Sequence, residues 1–359
     1  MSYAASKAEN HTRVLESNRI ISLIRIITLE RLDSLTRWLT SHSLGRRFTL
    51  APASADASFR RYFRVRFEDA STLIAMDAPP QQEDSAPFVR VANMMAECGL
   101  HVPEIIACDL EQGFILLSDL GQTTYLSALN ETTANDLFDD ATTALTRWQL
   151  ASREDTLPPY DEKLLWRELD LFPDWYVSKH LGVTLDTSQR ESLHAIFELI
   201  VRNNLSQPPT YVHRDYMPRN LMVSDPNPGI LDFQDAVYGP ITYDVVSLFR
   251  DAFISWDEEC VLDWVVRYWE KARKASLPVR ADFGEFYREL EWMGLQRHLK
   301  VLGIFARIRY RDGKPAYLED APRFLAYIRA VAQRYTALSP LLKLFDQLDD
   351  QVAKSGHRT

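Results

Sequence analysis

Three residues between Tyr211 and Asp244 have the types and the spacing for chemistry. Asp215 follows the extended apolar run TYVH, Asn220 lies five residues further on, and Asp232 stands seventeen residues after Asp215. The intervening LMVSDPNPGILDF reads as a short strand, a Pro/Gly turn and a second short strand. A hairpin of this kind brings Asn220 and Asp232 together at its open end. An amide oxygen and a carboxylate beside a free carboxylate suit Mg²⁺ bound to a nucleotide, because Mg²⁺ takes few protein carboxylates and completes its shell with phosphates and water. Asp215 would then accept or orient the proton of an attacking hydroxyl. Phosphoryl transfer needs little beyond that positioning and charge neutralisation.

The elements that must hold these residues are of two kinds. Residues 29–44 are spaced as a helix, with Leu32, Leu35, Trp38 and Leu39 on one face. RFTL, FRRYFRVRF and STLIAM then read as strands, with the small-residue turn ASADAS between the first two. PFVRVANMMAEC opens on proline and reads as a helix, and GLHVPEIIACD and FILLSDL as further strands. Beyond Gly121 helical spacing takes over, at 190–205, 260–270, 286–310 and 322–347. The expected class is α+β, with an N-terminal tail and helix over 1–45, a β-rich lobe over 46–120 and a helical lobe over 121–359. Residues 1–28 read as a tail or an extra helix. Their apolar stretch IISLIRII is interrupted by Arg25 and is too short to span a bilayer.

Composition excludes several other readings. Of 359 residues, 46% are hydrophobic and 25% charged, which is ordinary for a globular chain long enough for two lobes. Net charge is −9 with no dense basic stretch, so nucleic acid is not an expected partner. Cys98, Cys108 and Cys260 have no metal-type spacing and read as buried thiols in a reducing, cytoplasmic compartment. Only 12 glycines are present, and neither G-x-x-x-x-G-K-[ST] nor G-x-G-x-x-G occurs.

The arrangement H-x-D-x-x-x-x-N followed by D-F resembles the catalytic loop and metal-binding segment of the protein-kinase superfamily. The resemblance implies a bilobal kinase-like fold. Asp215 becomes its catalytic carboxylate, and Asn220 and Asp232 its Mg²⁺ ligands. His213 would brace the loop, and Asp244 would tie it down from the following helix. D-F-Q-D replaces D-F-G, A-P-E is missing, and no activation segment fits between Asp235 and Tyr243. This short path resembles the aminoglycoside phosphotransferase and choline kinase branch. SADASFRRYFRV, MDAPP, LFPDWYVSKHL, HRDYMPRNLM, LDFQDAVYGPITYD and RHLKVLGIFARIRYRDGKPAYLEDAPR together resemble, within that branch, the anomeric N-acetylmuramate/N-acetylglucosamine kinases of bacterial cell-wall recycling. That family implies ATP-dependent phosphorylation of the anomeric hydroxyl. The sugar 1-phosphate would pass to a nucleotidyltransferase.

One departure shapes the expected nucleotide site. The strand that carries a lysine across the superfamily ends here in Met76 and Asp77, and the glutamate that pairs with it falls near Phe88. Both members of the pair are missing, so another cation must meet the phosphates. Arg60, Arg61 and Arg64 stand beside the ASADAS loop, and arginine suits phosphate. Small side chains and backbone N–H groups around Ser58 would cover the phosphates in place of glycines. The resemblance puts adenine against the backbone of Ser118, Asp119 and Leu120. For the sugar, the aromatic-polar group containing Trp175 and Lys179, the cationic group Arg297, His298 and Lys300, and Arg219 and Asp235 flanking the catalytic residues are candidates. The alternatives are a kinase of an aminoglycoside or amino alcohol, and a nucleotide-binding pseudokinase scaffold.

Overall fold

The computed structural model describes residues 30–43, 45–53 and 60–355. The described residues divide into two compact units, one formed by those up to Ala86 with Pro103–Asp119, the other by Pro87–Val102 and those from Leu120 onward.

In the smaller unit, β1 (Phe48–Pro52), β2 (Arg61–Phe67), β3 (Thr72–Asp77), β4 (Ile105–Asp109) and β5 (Phe114–Ser118) form one antiparallel sheet in the order β1-β2-β3-β5-β4. Alternation turns Val65 and Phe67 of β2 to the same face as Ala75, Phe114 and Leu116. Helix α1, described over 30–42, lays Leu35, Trp38 and Leu39 on that face and completes its core. The N-terminal helix is therefore a cover for the sheet. The β4–β5 turn requires a glycine: Gly113 has φ +72°, and a Cβ there would lie 1.9 Å from the Ala78 carbonyl oxygen.

The larger unit is helical. It contains α2 (Ala86–Glu97), α3 (Tyr125–Ala128), α4 (Ala134–Leu150), α5 (Glu162–Leu169), α6 (Thr187–Leu205), α7 (Tyr243–Phe249), α8 (Glu258–Lys274), α9 (Phe283–Asp312), α10 (Ala321–Arg334) and α11 (Ser339–Ser355). A π-helical segment spans Phe172–His180. Helix α9 is central, with every residue from Glu289 to Gly303 buried. Gly303 lets the π-helical segment approach it, since a Cβ there would lie 2.3 Å from the Leu171 carbonyl oxygen.

Three details differ from the sequence expectation. Of the cysteines expected to be buried, Cys98 is half-buried and Cys108 and Cys260 are exposed. Helix α2 groups with the larger unit and α1 with the smaller one. The helix expected over 322–347 is broken at Tyr335, whose backbone is extended, and restarts as α11. Pro340 explains the break, because in an unbroken helix its ring would strike the carbonyl one turn earlier. Among the described residues no helix is long and apolar enough to cross a membrane.

Candidate active site

Two short antiparallel ribbons build the site. Strand β6 (Pro209–Val212) pairs with β9 (Val237–Pro240), and β7 (Leu221–Met222) pairs with β8 (Gly229–Ile230). The loop after β6 carries His213, Arg214 and Asp215, and a 3₁₀ turn at Pro218–Asn220 leads into β7. The hairpin closes as its pattern predicts. Leu231 N–H donates to the Asn220 carbonyl at 2.9 Å. Asn220 Nδ2 reaches Asp232 Oδ2 at 3.3 Å and the Asp215 carbonyl at 2.9 Å. Gln234, at the position of the glycine in D-F-G, donates Nε2 to Asp232 Oδ1 at 2.9 Å. Phe233 is buried against Phe88, ring centroids 4.9 Å apart, so an aromatic contact occupies the place expected of the superfamily's glutamate.

The backbone here is strained. Arg214 has φ +76° and Asp232 φ +63°, conformations that side chains other than glycine seldom adopt and that cluster at functional sites. The surrounding bonds hold them. Asp244, fully buried in the first turn of α7, accepts from the backbone N–H of His213 at 2.7 Å and of Arg214 at 3.0 Å. Burial raises its carboxyl to about 7 against the opposing effect of those two N–H groups. His213 donates Nε2–H to the Leu231 carbonyl at 3.1 Å and accepts Asp215 N–H on Nδ1 at 3.3 Å. Burial lowers His213 to about 4, so the ring is neutral and ties the loop to the hairpin. Tyr216 anchors the far side, its hydroxyl donating to the Ala141 carbonyl at 2.8 Å.

The donor set fits a hard cation. Asn220 and Asp232 bring a side-chain amide and a carboxylate together, and both groups carry oxygens of the kind a hard cation takes. Among the described residues no group of three His, Cys, Asp or Glu could hold a metal by itself. One carboxylate and one amide is the set that Mg²⁺ uses when phosphates complete its shell.

Other expected contacts are distributed as follows. The Arg219 guanidinium lies 5.1 Å from the Phe253 ring centroid, and Asp235 is exposed. Trp175 is half-buried and Lys179 exposed on the π-helical segment, whose Tyr176 is interior. The cationic group on α9 lies inside: Arg297, His298 and Lys300 are buried, and Arg297 Nε donates to Ser247 Oγ at 2.6 Å. These residues are interior because the central helix is surrounded on all sides.

In the smaller unit, Arg61 pairs with Asp77 directly across the β2–β3 register, and Arg31 binds the same buried carboxylate at 2.7 Å. Arg60 pairs with Glu83 at 2.5 Å. Arg64 grips Asp119 with two bonds, at 2.6 and 3.1 Å, and Ser118 Oγ accepts Glu104 N–H at 2.8 Å. Leu120 begins the larger unit's second segment and is half-buried. Ser58 lies outside the described residues, as do residues 1–28. The Arg61–Asp77 pair, Glu83, Gln234 and the buried Glu168 are functional candidates that sequence reasoning missed. For Glu168 a signal existed, since it shares the apolar face of α5 with Leu165 and Leu169.

This fold and this loop define a phosphotransferase. Residues 49–277 match the model of the phosphotransferase enzyme family, to which the chain belongs. Within that family it is similar to proteins named N-acetylmuramate/N-acetylglucosamine kinase. It is 54% identical to that of Pseudomonas aeruginosa over 83% of this chain and 88% of the relative. It is 49% identical to that of Neisseria meningitidis over 91% of this chain and 99% of the relative. Among solved structures, an ADP-bound aminoglycoside phosphotransferase, APH(2'')-Ib, aligns with TM-score 0.55 at 15% identity, covering 82% of this chain and 97% of its own. An ethanolamine kinase of Plasmodium vivax aligns with TM-score 0.56 at 9% identity, covering 78% and 81%. These two likenesses concern the fold.

Proposed function

We propose that this chain is an ATP-dependent, cytoplasmic kinase that phosphorylates the anomeric hydroxyl of N-acetylmuramate, N-acetylglucosamine or both. The observation that carries the reading is the junction of Asn220 and Asp232, 3.3 Å apart, at the open end of the hairpin that follows the Asp215 loop. Asp215 takes or orients the proton of the sugar hydroxyl. Asn220 and Asp232 hold Mg²⁺, which when bound offsets the charge of the transferring phosphoryl group. Arg60 and Arg61 meet the nucleotide phosphates. Each guanidinium is charged and planar, suited to phosphate, and its carboxylate partner orients it. Backbone groups at Ser118, Asp119 and Leu120 receive adenine. Arg219, Asp235, Trp175 and Lys179 are the sugar-side candidates. The names of the two relatives above support the choice of sugar, and the product suits a nucleotidyltransferase that builds a UDP-sugar.

The test is an acceptor screen with ATP and Mg²⁺, read by ADP release and phosphorus NMR of the product. The expected product shows phosphorus coupled to the anomeric proton, with one or both sugars. A phosphate on another hydroxyl, or turnover only with an aminoglycoside or amino alcohol, overturns the assignment.

A further inference from the structure

Asp77, at the end of β3, is fully buried between two guanidinium groups that reach it from different elements. Its Oδ1 accepts from Arg31 Nε at 2.7 Å, and its Oδ2 from Arg61 Nε at 3.0 Å and from Arg61 Nη2. The two arginines are held differently. Arg31 Nη2 also donates to the Gln112 carbonyl at 2.5 Å, in the β4–β5 turn, and its Cζ lies 4.7 Å from the centroid of the Phe114 ring. Arg61 stands opposite Asp77 in the β2–β3 register and is the more exposed of the two, with 30% of its side chain accessible against 21% for Arg31.

One carboxylate cannot neutralise two guanidinium groups, because arginine keeps its charge. The triad therefore carries a surplus positive charge, and Arg61 is the end at which an anion can meet it. Removal of Arg31 would cancel that surplus. Asp77 Oδ1 would be a buried acceptor without a donor, which is costly, so the carboxylate would turn both oxygens to Arg61 as a bidentate pair. Arg61 would then be drawn back onto the strand with its charge neutralised.

We propose that Arg31 is a positioning residue for the nucleotide: by occupying Oδ1 of Asp77 it keeps Arg61 aimed and its charge uncancelled, which makes helix α1 part of the ATP site. The proposal rests on the reading above that Arg61 meets the nucleotide phosphates. Arg31 acts through Asp77 and Arg61. It also precedes the residues that match the family's model, 49–277, so that match assigns it no role.

The test is a binding cycle on the full chain with no acceptor present, titrating ATP with Mg²⁺ in parallel with adenosine, which lacks phosphates. Arg61→Gln is expected to raise the Kd for ATP about tenfold and Arg31→Gln about fivefold, with adenosine changed less than about twofold in both. Arg31→Gln combined with Arg61→Gln is expected to bind ATP within about twofold of Arg61→Gln alone, because Arg31 has nothing left to act through. Arg31→Lys, which keeps a cation at Oδ1, recovers part of the loss. Leu35, Trp38 and Leu39 dock α1 independently of Arg31. If Arg31→Gln nevertheless does not fold, Arg31→Met, which keeps an apolar stem over Phe114, takes its place in the same cycle. Wild-type ATP affinity in the Arg31 variant, losses that multiply in the double variant, or an equal loss for adenosine overturns the role of Arg31. Wild-type ATP affinity in Arg61→Gln overturns the phosphate role of Arg61 itself, and the role of Arg31 with it.

Discussion

At the scale of single residues, the catalytic loop is held by groups that do no chemistry themselves. His213 is neutral because it is buried, and its ordinary value near 6.5 falls to about 4. A base lowered in the fold contributes stability that is full above its unfolded value and lost as pH falls through the folded one. Over this interval the loss is about 3 kcal/mol. His213→Gln keeps a donor for Leu231 and cannot charge. Wild type is therefore expected to lose about 3 kcal/mol relative to His213→Gln between pH 7 and pH 4, measured by urea unfolding. Asp244 acts with the opposite sign, its stability contribution being lost as pH rises through about 7, but it is common to both proteins and cancels in the comparison. Asp215→Asn is expected to lower turnover by about 10²–10⁴ while nucleotide affinity stays within about twofold, checked by initial rates and by titration of ATP binding. Asp215, Asn220 and Asp232 were legible because their spacing is local and their hairpin is written in prolines and a glycine. The ion pair between Glu168 and Lys300 was not, because it depends on how α5 and α9 pack, and no short-range pattern records that.

At the scale of elements, the departure on β3 finds its account in the register. Sequence reasoning saw that the strand lacks its lysine and that a cation had to come from elsewhere. It did not see that Asp77 would stand opposite Arg61, nor that Arg31 would arrive from α1. Cross-strand position follows from pairing, which the sequence of one strand does not contain. Asp77 is fully buried with two guanidinium partners. Asp77→Asn leaves both without a counter-charge and is expected to destabilise the protein by about 3 kcal/mol, seen as a lower urea midpoint. The same change should raise the KM for ATP, since Arg61 loses the group that aims it. The existence of the strands and of α1 was legible from alternation and helical spacing. The break between α10 and α11 was missed, because helical periodicity runs through Pro340.

At the scale of the whole molecule, the division into a β-rich and a helical part is visible in composition, since strand signals fade near Gly121. The assignment of α1 and α2 to their units is not, because it depends on which apolar face each helix finds. If Asn220 and Asp232 hold Mg²⁺, metal and nucleotide stabilise the fold together. ATP with Mg²⁺ at about a hundred times its Kd is expected to stabilise the protein by about 2.7 kcal/mol, and ATP with a chelator by less. In Asp232→Asn the two conditions should melt alike; a persisting Mg²⁺-dependent shift would show that the metal is held elsewhere. The arginine–carboxylate pairs of the smaller unit carry one more consequence. No lysine occurs between Lys7 and Lys163, so every side-chain cation described in that unit is a guanidinium. Amine-directed chemistry, whether an acylating nucleotide analogue or enzymatic acetylation, finds no side-chain target among its described residues, and reagents that capture kinases through the strand lysine will pass this protein by.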